Sequence, residues 1–162
     1  MCSSDLLVSD YLNRQNEYVQ MQDDSIRTNG IVRFFNDSVY GNFQRLELVC
    51  AGLKKAISSE HNIVIKLKVE GSASSLATDA YNVNLSTRRI SSIMNYWGEW
   101  NGGFITKAIN DGLIIVDADP RGEQKAAGKV SDDANNQKLS VFSIEAANER
   151  KIVITDLSIE KK

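Results

Sequence analysis

Asn62-Ile63-Val64-Ile65-Lys66-Leu67-Lys68-Val69-Glu70 is the stretch that decides the fold. Every second side chain in it is apolar, and most of the side chains between them are charged. Successive side chains of a strand point to opposite faces of its sheet, so the apolar ones would share one face. The pattern therefore predicts a strand in a sheet that has one buried face and one solvated face.

Apolar patterns on the N-terminal side of this stretch predict a strand and a helix. A short apolar run bounded by Asn29-Gly30 and Asn36-Asp37 predicts a first core strand over residues 31–35. It is followed by a stripe at helical spacing, which predicts a helix with one buried face. The members of this stripe are Phe43, Leu46, Val49, Cys50, Leu53 and Ile57. Residues 1–29 have no sustained period, and we expect them to form a tether or a helix.

The C-terminal side continues the alternation of helices and strands. Residues 81–97 predict a second helix, which glycines at positions 98, 102 and 103 would end. The remaining predicted elements are a helix over 104–110, a strand over 113–116 closed by Pro120, an exposed loop over 122–140, a helix over 144–149 and a strand over 152–154. The order β-α-β-α-β-α-β predicts an α+β fold, a two-layer sandwich with two main helices on one face of a mixed four-stranded sheet.

Composition excludes several classes of function. The 162 residues are 42% hydrophobic and 25% charged, which suits one globular core. A net charge of −2 with scattered basic residues argues against a nucleic-acid partner. No apolar run reaches the roughly 18 residues of a membrane span, so we expect membrane contact only through a removed leader, a lipid anchor or a longer chain.

Catalytic and metal-binding patterns are also missing from the sequence. The single histidine, His61, does not belong to a nucleophile–base arrangement, and no Cys/His cluster has zinc spacing. The acidic residues Asp117, Asp119, Asp132 and Asp133 do not have the spacing of a calcium-binding EF-hand loop. We therefore expect a protein that is not an enzyme and has no cofactor.

The two cysteines have different surroundings. Cys50 belongs to the apolar helical stripe, which predicts a buried small hydrophobe. Cys2 stands before Ser3-Ser4-Asp5, a small polar tether of the kind that follows the lipid-bearing first residue of mature bacterial lipoproteins. Cys2 is thus a candidate for lipidation if Met1 replaces a removed leader, and the alternative is an ordinary chain end.

The segment after the central strand carries a motif in two parts. Gly71-Ser72-Ala73-Ser74 is followed, after a spacer, by Tyr81-Asn82-Val83-Asn84-Leu85-Ser86-Thr87-Arg88-Arg89. The motif resembles the signature of the OmpA-like peptidoglycan-associating domain, Gly-His-Thr/Ala-Asp, spacer, Tyr-Asn-x-x-Leu-Ser-x-x-Arg. Six residues match at the family spacing: Gly71, Tyr81, Asn82, Leu85, Ser86 and Arg89. Ser74 stands where the family has an aspartate.

A second block near the C-terminus extends this resemblance. Ser143–Ile154 is similar to the closing helix and final strand of the family, and Arg150-Lys151 occupy the position of an Arg-Arg pair. The resemblance covers residues 30–157 and leaves 158–162 as a tail. It implies a domain on the periplasmic face of the cell envelope, associated with the outer membrane.

The resemblance implies a non-catalytic function, namely binding of the diaminopimelate residue of the peptidoglycan stem peptide. Arg89 would hold a ligand carboxylate through its planar donor fork, at the start of a helix whose amides favour an anion. Ser74 offers a neutral hydroxyl in place of a carboxylate, which weakens the bond to a ligand amine. The other implied site residues are Asn82 and Arg150 for binding, and Gly71, Ser72, Ala73, Asp79, Tyr81 and Leu85 for support.

Several of these residues have an alternative role. Asn82 is either a helix cap or a ligand contact, and Arg150 is either a structural ion-pair partner or a binding group. Tyr81 and Leu85 are interpreted as groups that pack the helix on the sheet. At the level of the whole domain, the alternative is a structural or protein-interaction module, with an envelope protein as partner, that has lost wall binding with the aspartate.

Overall fold

The structure is a computed structural model that describes residues 8–73, 78–123, 133 and 135–161. Its α-helices are α1 (Val8–Gln20), α2 (Ser25–Arg33), α3 (Gly41–Ser59), α4 (Asp79–Glu99), α5 (Phe104–Asn110), α6 (Gln137–Ser140) and α7 (Ile144–Glu149). A π-helical segment, Phe34–Tyr40, joins α2 to α3, and a 3-10 turn, Trp100–Gly102, follows α4. The strands are β1 (Ile63–Ala73), β2 (Ile114–Glu123) and β3 (Ile152–Lys161).

β1 is the central strand of a mixed sheet with the order β2-β1-β3. β2 runs parallel to β1, from the pair Ile65↔Ile114 to Gly71↔Pro120 and beyond. β3 runs antiparallel to β1, from Ile63↔Lys161 to Gly71↔Ile152. The α+β class and the mixed sheet predicted from the sequence are therefore confirmed, with three strands in the described residues.

One face of the sheet carries the core. The alternate β1 residues predicted to share a face are all buried, and they pack with residues of α3, α4 and α5 in one cluster. Its buried members are Cys50, Leu53, Ile63, Ile65, Leu67, Val69, Ile90, Ile93, Trp97, Ile105, Ala108 and Ile114. Both main helices thus cover the same face, as expected. Burial also raises the pKa of the Cys50 thiol to about 11, which suits a packing residue rather than a reactive one.

The predicted first strand over residues 31–35 is not present in this structure. The segment begins in α2 and ends in the π-helical segment, and the four-stranded β-α-β-α-β-α-β order is not seen. Ile31 and Phe35 are both buried, and the Phe35 ring meets the Tyr18 ring of α1 edge to face at 5.1 Å between centroids. Residues four apart share a face of a helix, so this run suits a helix as well as a strand.

The last two strands are longer than predicted. β2 continues through Pro120 to Glu123 instead of ending near Val116. Proline has no N–H to give, but β2 lies at an edge of the sheet, where one side of a strand needs no partner. β3 continues past Ile154 through an irregularity in its pairing with β1, where Asp156 has a positive φ of 51°.

The N-terminal helices pack against the C-terminal part of the chain. Tyr18 of α1 also meets the Phe142 ring edge to face, at 5.2 Å between centroids. Nε2 of Gln22 donates to the carbonyl oxygen of Phe142 at 3.3 Å, and Lys138 of α6 forms an ion pair with Asp23. The described part of residues 1–29 is therefore helical and is held to the segment around α6 and α7.

Candidate functional site

The carboxyl ends of β1 and β2 lie under the N-terminal half of α4, and Gly71 makes this close approach possible. A Cβ atom at position 71 would lie 2.7 Å from the carbonyl oxygen of Ser86 and 2.9 Å from Cγ1 of Ile90. No real side chain tolerates such a distance to a backbone atom, so only glycine fits here. The motif glycine thus brings α4 directly onto the end of β1.

Arg89 lies over this strand end. Its Nη1 donates to the carbonyl oxygen of Ser72 at 2.5 Å, and its side chain is half-buried. We predicted Arg89 at the start of its helix, which is wrong: α4 begins at Asp79, and Arg89 lies in the middle of the helix. The helix dipole acts within the first turn, so the α4 amides do not reach an anion at Arg89.

Ser72 joins the end of β1 to the junction of α7 and β3. Its hydroxyl donates to the carbonyl oxygen of Glu149 at 2.5 Å, and its backbone N–H donates to the carbonyl oxygen of Lys151 at 3.0 Å. Ser72, Ala73 and the Glu149 side chain are all buried. The two sequence blocks that carry the family resemblance, residues 71–89 and 143–154, therefore meet at this point.

Two motif residues in the first turns of α4 differ from their predicted roles. Thr78 is the N-cap residue, and the backbone N–H of Asn82 donates to its carbonyl oxygen at 2.9 Å. Asn82 is thus inside the helix and only 1% exposed, so the cap alternative is wrong. Tyr81 is 54% exposed, which contradicts its interpretation as a packing group, whereas Leu85 is half-buried.

The end of β2 is fastened to α4 by a contact that the sequence analysis missed. The Ser86 hydroxyl donates to the carbonyl oxygen of Val83 at 2.9 Å and accepts the N–H of Gly122 at 3.2 Å. Gly122 has a φ of 66°, and a Cβ atom there would lie 3.1 Å from the Val83 side chain. Ser86 matches the family motif, and that match was the available signal for this role.

Arg150 contacts neutral partners within the chain. Its Nη2 donates to the hydroxyl of Tyr18 at 3.0 Å and also to the carbonyl oxygen of Val141. These bonds tie α1 to the loop between α6 and α7. These contacts favour the structural alternative for Arg150, although they are hydrogen bonds to neutral groups rather than an ion pair.

Two of the predicted site residues, Ser74 and Cys2, lie outside the described residues. Asp79 is exposed as the first residue of α4. Over the part of the chain that the structure describes, no group of three or more His, Cys, Asp or Glu side chains has an arrangement that would hold a metal ion.

A four-residue charge cluster, Lys68, Glu70, Asp119 and Arg121, occupies the solvated face of the sheet. Nζ of Lys68 lies 2.8 Å from Oδ2 of Asp119 and 3.3 Å from Oε1 of Glu70. Nε of Arg121 lies 3.1 Å from Oδ2 of Asp119, and Arg121 also pairs with Glu70. Hydrogen bonds from Lys68 and then Arg121 lower the pKa of Asp119, while those bonds to Asp119 and Glu70 raise the pKa of Lys68.

A guanidinium, which has five donors in a fixed fork, lies over a strand end bounded by α4 and the α7–β3 junction.

Comparison of the chain with protein-family models, with curated proteins and with solved structures found no match. Within the described ranges, none of the helices combines the length and the apolar composition needed to cross a membrane.

Proposed function

We propose that this chain is a non-catalytic peptidoglycan-binding domain of the OmpA-like type. It would anchor an envelope protein to the cell wall by holding the diaminopimelate residue of a stem peptide. The observation that supports this most is the position of Arg89, whose guanidinium lies at the carboxyl end of β1 beside Ser72. Asn82, which the resemblance also assigns to binding, lies on the same helix as Arg89, and Arg150 follows α7.

The chemistry of the ligand suits these residues. Diaminopimelate carries carboxylates and amines, and an arginine fork holds a carboxylate through two parallel hydrogen bonds. Arg89 supplies the fork, and its bond to the Ser72 carbonyl oxygen sets where the guanidinium lies. The resemblance places Ser74, two residues beyond Ser72, against the amine of the ligand, and it makes Asn82 a contact to the ligand backbone. The four-stranded sheet of the family, a periplasmic location and lipidation of Cys2 belong to the same proposal.

A second candidate function is a structural or protein-interaction module that has lost wall binding. Arg150 favours this candidate, because its hydrogen bonds go to Tyr18 and to the carbonyl oxygen of Val141. Ser74 favours it as well, since a hydroxyl is a weaker partner for a ligand amine than the family carboxylate. In this case the partner would be another envelope protein.

Sedimentation with purified peptidoglycan and titration with a diaminopimelate-containing stem peptide test the proposal. We expect the full chain to sediment with the wall and to bind the peptide saturably. Arg89→Ala should weaken binding about tenfold or more, because it removes a charge-assisted contact. Arg88→Ala is the matched control: Arg88 is exposed on the same helix, and its loss should leave binding within about twofold.

Thermal unfolding of the variants separates binding from folding. Arg89 donates to the Ser72 carbonyl oxygen, so Arg89→Ala should also lower stability, by about 1 kcal/mol. Arg89→Lys retains the positive charge but lacks the planar donor fork. It should bind the peptide more weakly than the parent chain while having the same thermal stability. A parent chain that stays in the supernatant at low salt and gives a flat peptide titration would favour the interaction module.

A further inference from the structure

We propose that helix α1 regulates the binding site by holding the side chain of Arg150. This inference rests on the proposed function, because Arg150 is one of the residues that the resemblance assigns to ligand binding. In the structure its guanidinium is turned toward α1, where Nη2 donates to the Tyr18 hydroxyl at 3.0 Å. Release of α1 would free this guanidinium for a carboxylate of the stem peptide.

The backbone of Arg150 lies at the same strand end as the guanidinium of Arg89. Both chain neighbours of Arg150 are bonded there, since the hydroxyl and the N–H of Ser72 donate to the carbonyl oxygens of Glu149 and Lys151. The Ser72 carbonyl oxygen accepts from Arg89. A change of side-chain rotamer, without movement of the backbone, would therefore bring a second guanidinium toward the site.

The partners of Arg150 in this conformation are neutral. Besides the Tyr18 hydroxyl, its Nη2 donates to the carbonyl oxygen of Val141. An arginine holds a carboxylate through two parallel hydrogen bonds between opposite charges, which a hydroxyl and a carbonyl oxygen do not match. A carboxylate of the ligand would therefore compete with Tyr18 for this side chain.

The end of α1 is held by contacts that suit reversible docking. The Tyr18 ring packs edge to face against the rings of Phe35 and Phe142. An ion pair joins Asp23 to Lys138, and because the Asp23 side chain is 82% exposed, this pair contributes little. The core cluster takes its residues from α3, α4, α5, β1 and β2, so α1 is able to leave without opening the core.

Competition for one guanidinium couples the two events in both directions. If Tyr18 holds Arg150 in about nine molecules of ten, the apparent affinity of a ligand that needs this side chain falls about tenfold. By linkage, the bound ligand weakens the docking of α1 by the same factor. The chain would thus bind the wall weakly with α1 docked and tightly with α1 released.

Titration of the full chain with the diaminopimelate-containing stem peptide tests the proposal. Tyr18→Phe removes the hydroxyl and keeps the ring, so it should tighten binding about threefold to tenfold. In an Arg150→Ala background the same change should have no effect, because no guanidinium is left to release. Tyr40→Phe is the matched control: Tyr40 is 43% exposed, and its change should leave the affinity within about twofold.

Hydrogen exchange of the parent chain gives a second measurement that needs no variant. Saturating peptide should speed the exchange of the α1 amides about threefold or more, because the ligand and Tyr18 compete for Arg150. The α4 amides should not exchange faster. An Arg150 side chain with only a structural role would leave the exchange of α1 unchanged.

The contrary results are separable from those for the proposed function. Equal affinities of the parent chain, Tyr18→Phe and Arg150→Ala, with α1 exchange unchanged by the peptide, would overturn this inference. If Arg89→Ala weakens binding in that case, the proposed function stands without it. No binding by either the parent chain or Tyr18→Phe would overturn both. If Tyr18→Phe does not fold, the exchange of the parent chain decides the question.

Discussion

β1 has a neighbour on each side, and the helical layer covers the two sides unequally. On the β2 side, α4 lies directly on the sheet at Gly71 and Gly122. On the β3 side, α3 leaves a groove in which Leu157 and Ile159 are half exposed. α4 connects β1 to β2 and so packs over both, whereas β3 enters from the short helix α7. A strand is well covered when the helix that connects it to its neighbour in the sheet packs over it.

Truncation of a leucine in the central strand β1 and of one in the edge strand β3 gives the largest expected contrast. Leu67 is buried in the core, and Leu67→Ala should cost about 2–5 kcal/mol of unfolding free energy. Leu157 is half exposed, and Leu157→Ala should cost about 1 kcal/mol or less. Urea unfolding of both variants measures the difference. Equal losses would mean that the edge of β3 is covered in solution and would break the comparison.

Alanine at one glycine on each side should change stability with opposite signs. Gly71→Ala puts a Cβ atom against the Ser86 carbonyl oxygen and should destabilise the domain by about 1–3 kcal/mol. Gly52→Ala puts one into open space inside a helix and should stabilise it by about 0.5–1 kcal/mol. Thermal unfolding at matched concentration measures both, and a loss of stability in Gly52→Ala would contradict an open groove.

A change in the charge cluster on the solvated face should have the smallest effect of the three. It should appear in how the stability of the domain depends on pH. The pKa of Asp119 is lowered in the folded chain, so its contribution is present above the ordinary aspartate pKa and is lost as the pH falls through the folded value. Asp119→Asn should therefore reduce the loss of stability in acid. High salt should have a similar effect, because these groups are in contact with solvent. Superimposable acid-unfolding curves of the parent chain and Asp119→Asn would show that the cluster contributes nothing.

Local periodicity was enough for the elements that carry one clear pattern. α5 over 104–110 and α7 over 144–149 have their predicted bounds, and β1 buries the alternate side chains that its sequence marks. The predicted strand over residues 31–35 is helical in the structure, because its apolar spacing suits a strand and a helix alike. Contacts with Tyr18, far away in sequence, accompany the helical form here.

The candidate site was predicted in part. Motif spacing found Gly71, Ser72 and Arg89, which the structure brings together at the end of β1. Their mutual geometry was not predictable, because the start of α4 at Asp79 and the burial of Asn82 depend on how the helix packs. The bond from Arg150 to Tyr18 joins residues from opposite ends of the chain, and no local pattern marks it.

Local patterns in the sequence were enough to specify the α+β class, the central strand and both main helices, because periodicity acts over a few neighbouring residues. Contacts across the fold set the conformation of residues 31–35, the approach of α4 at Gly71, the continuation of β2 past Pro120 and the partners of Arg89 and Arg150. Those outcomes depend on which surfaces meet across the fold. The energy of such contacts outweighs the local preference of a few residues.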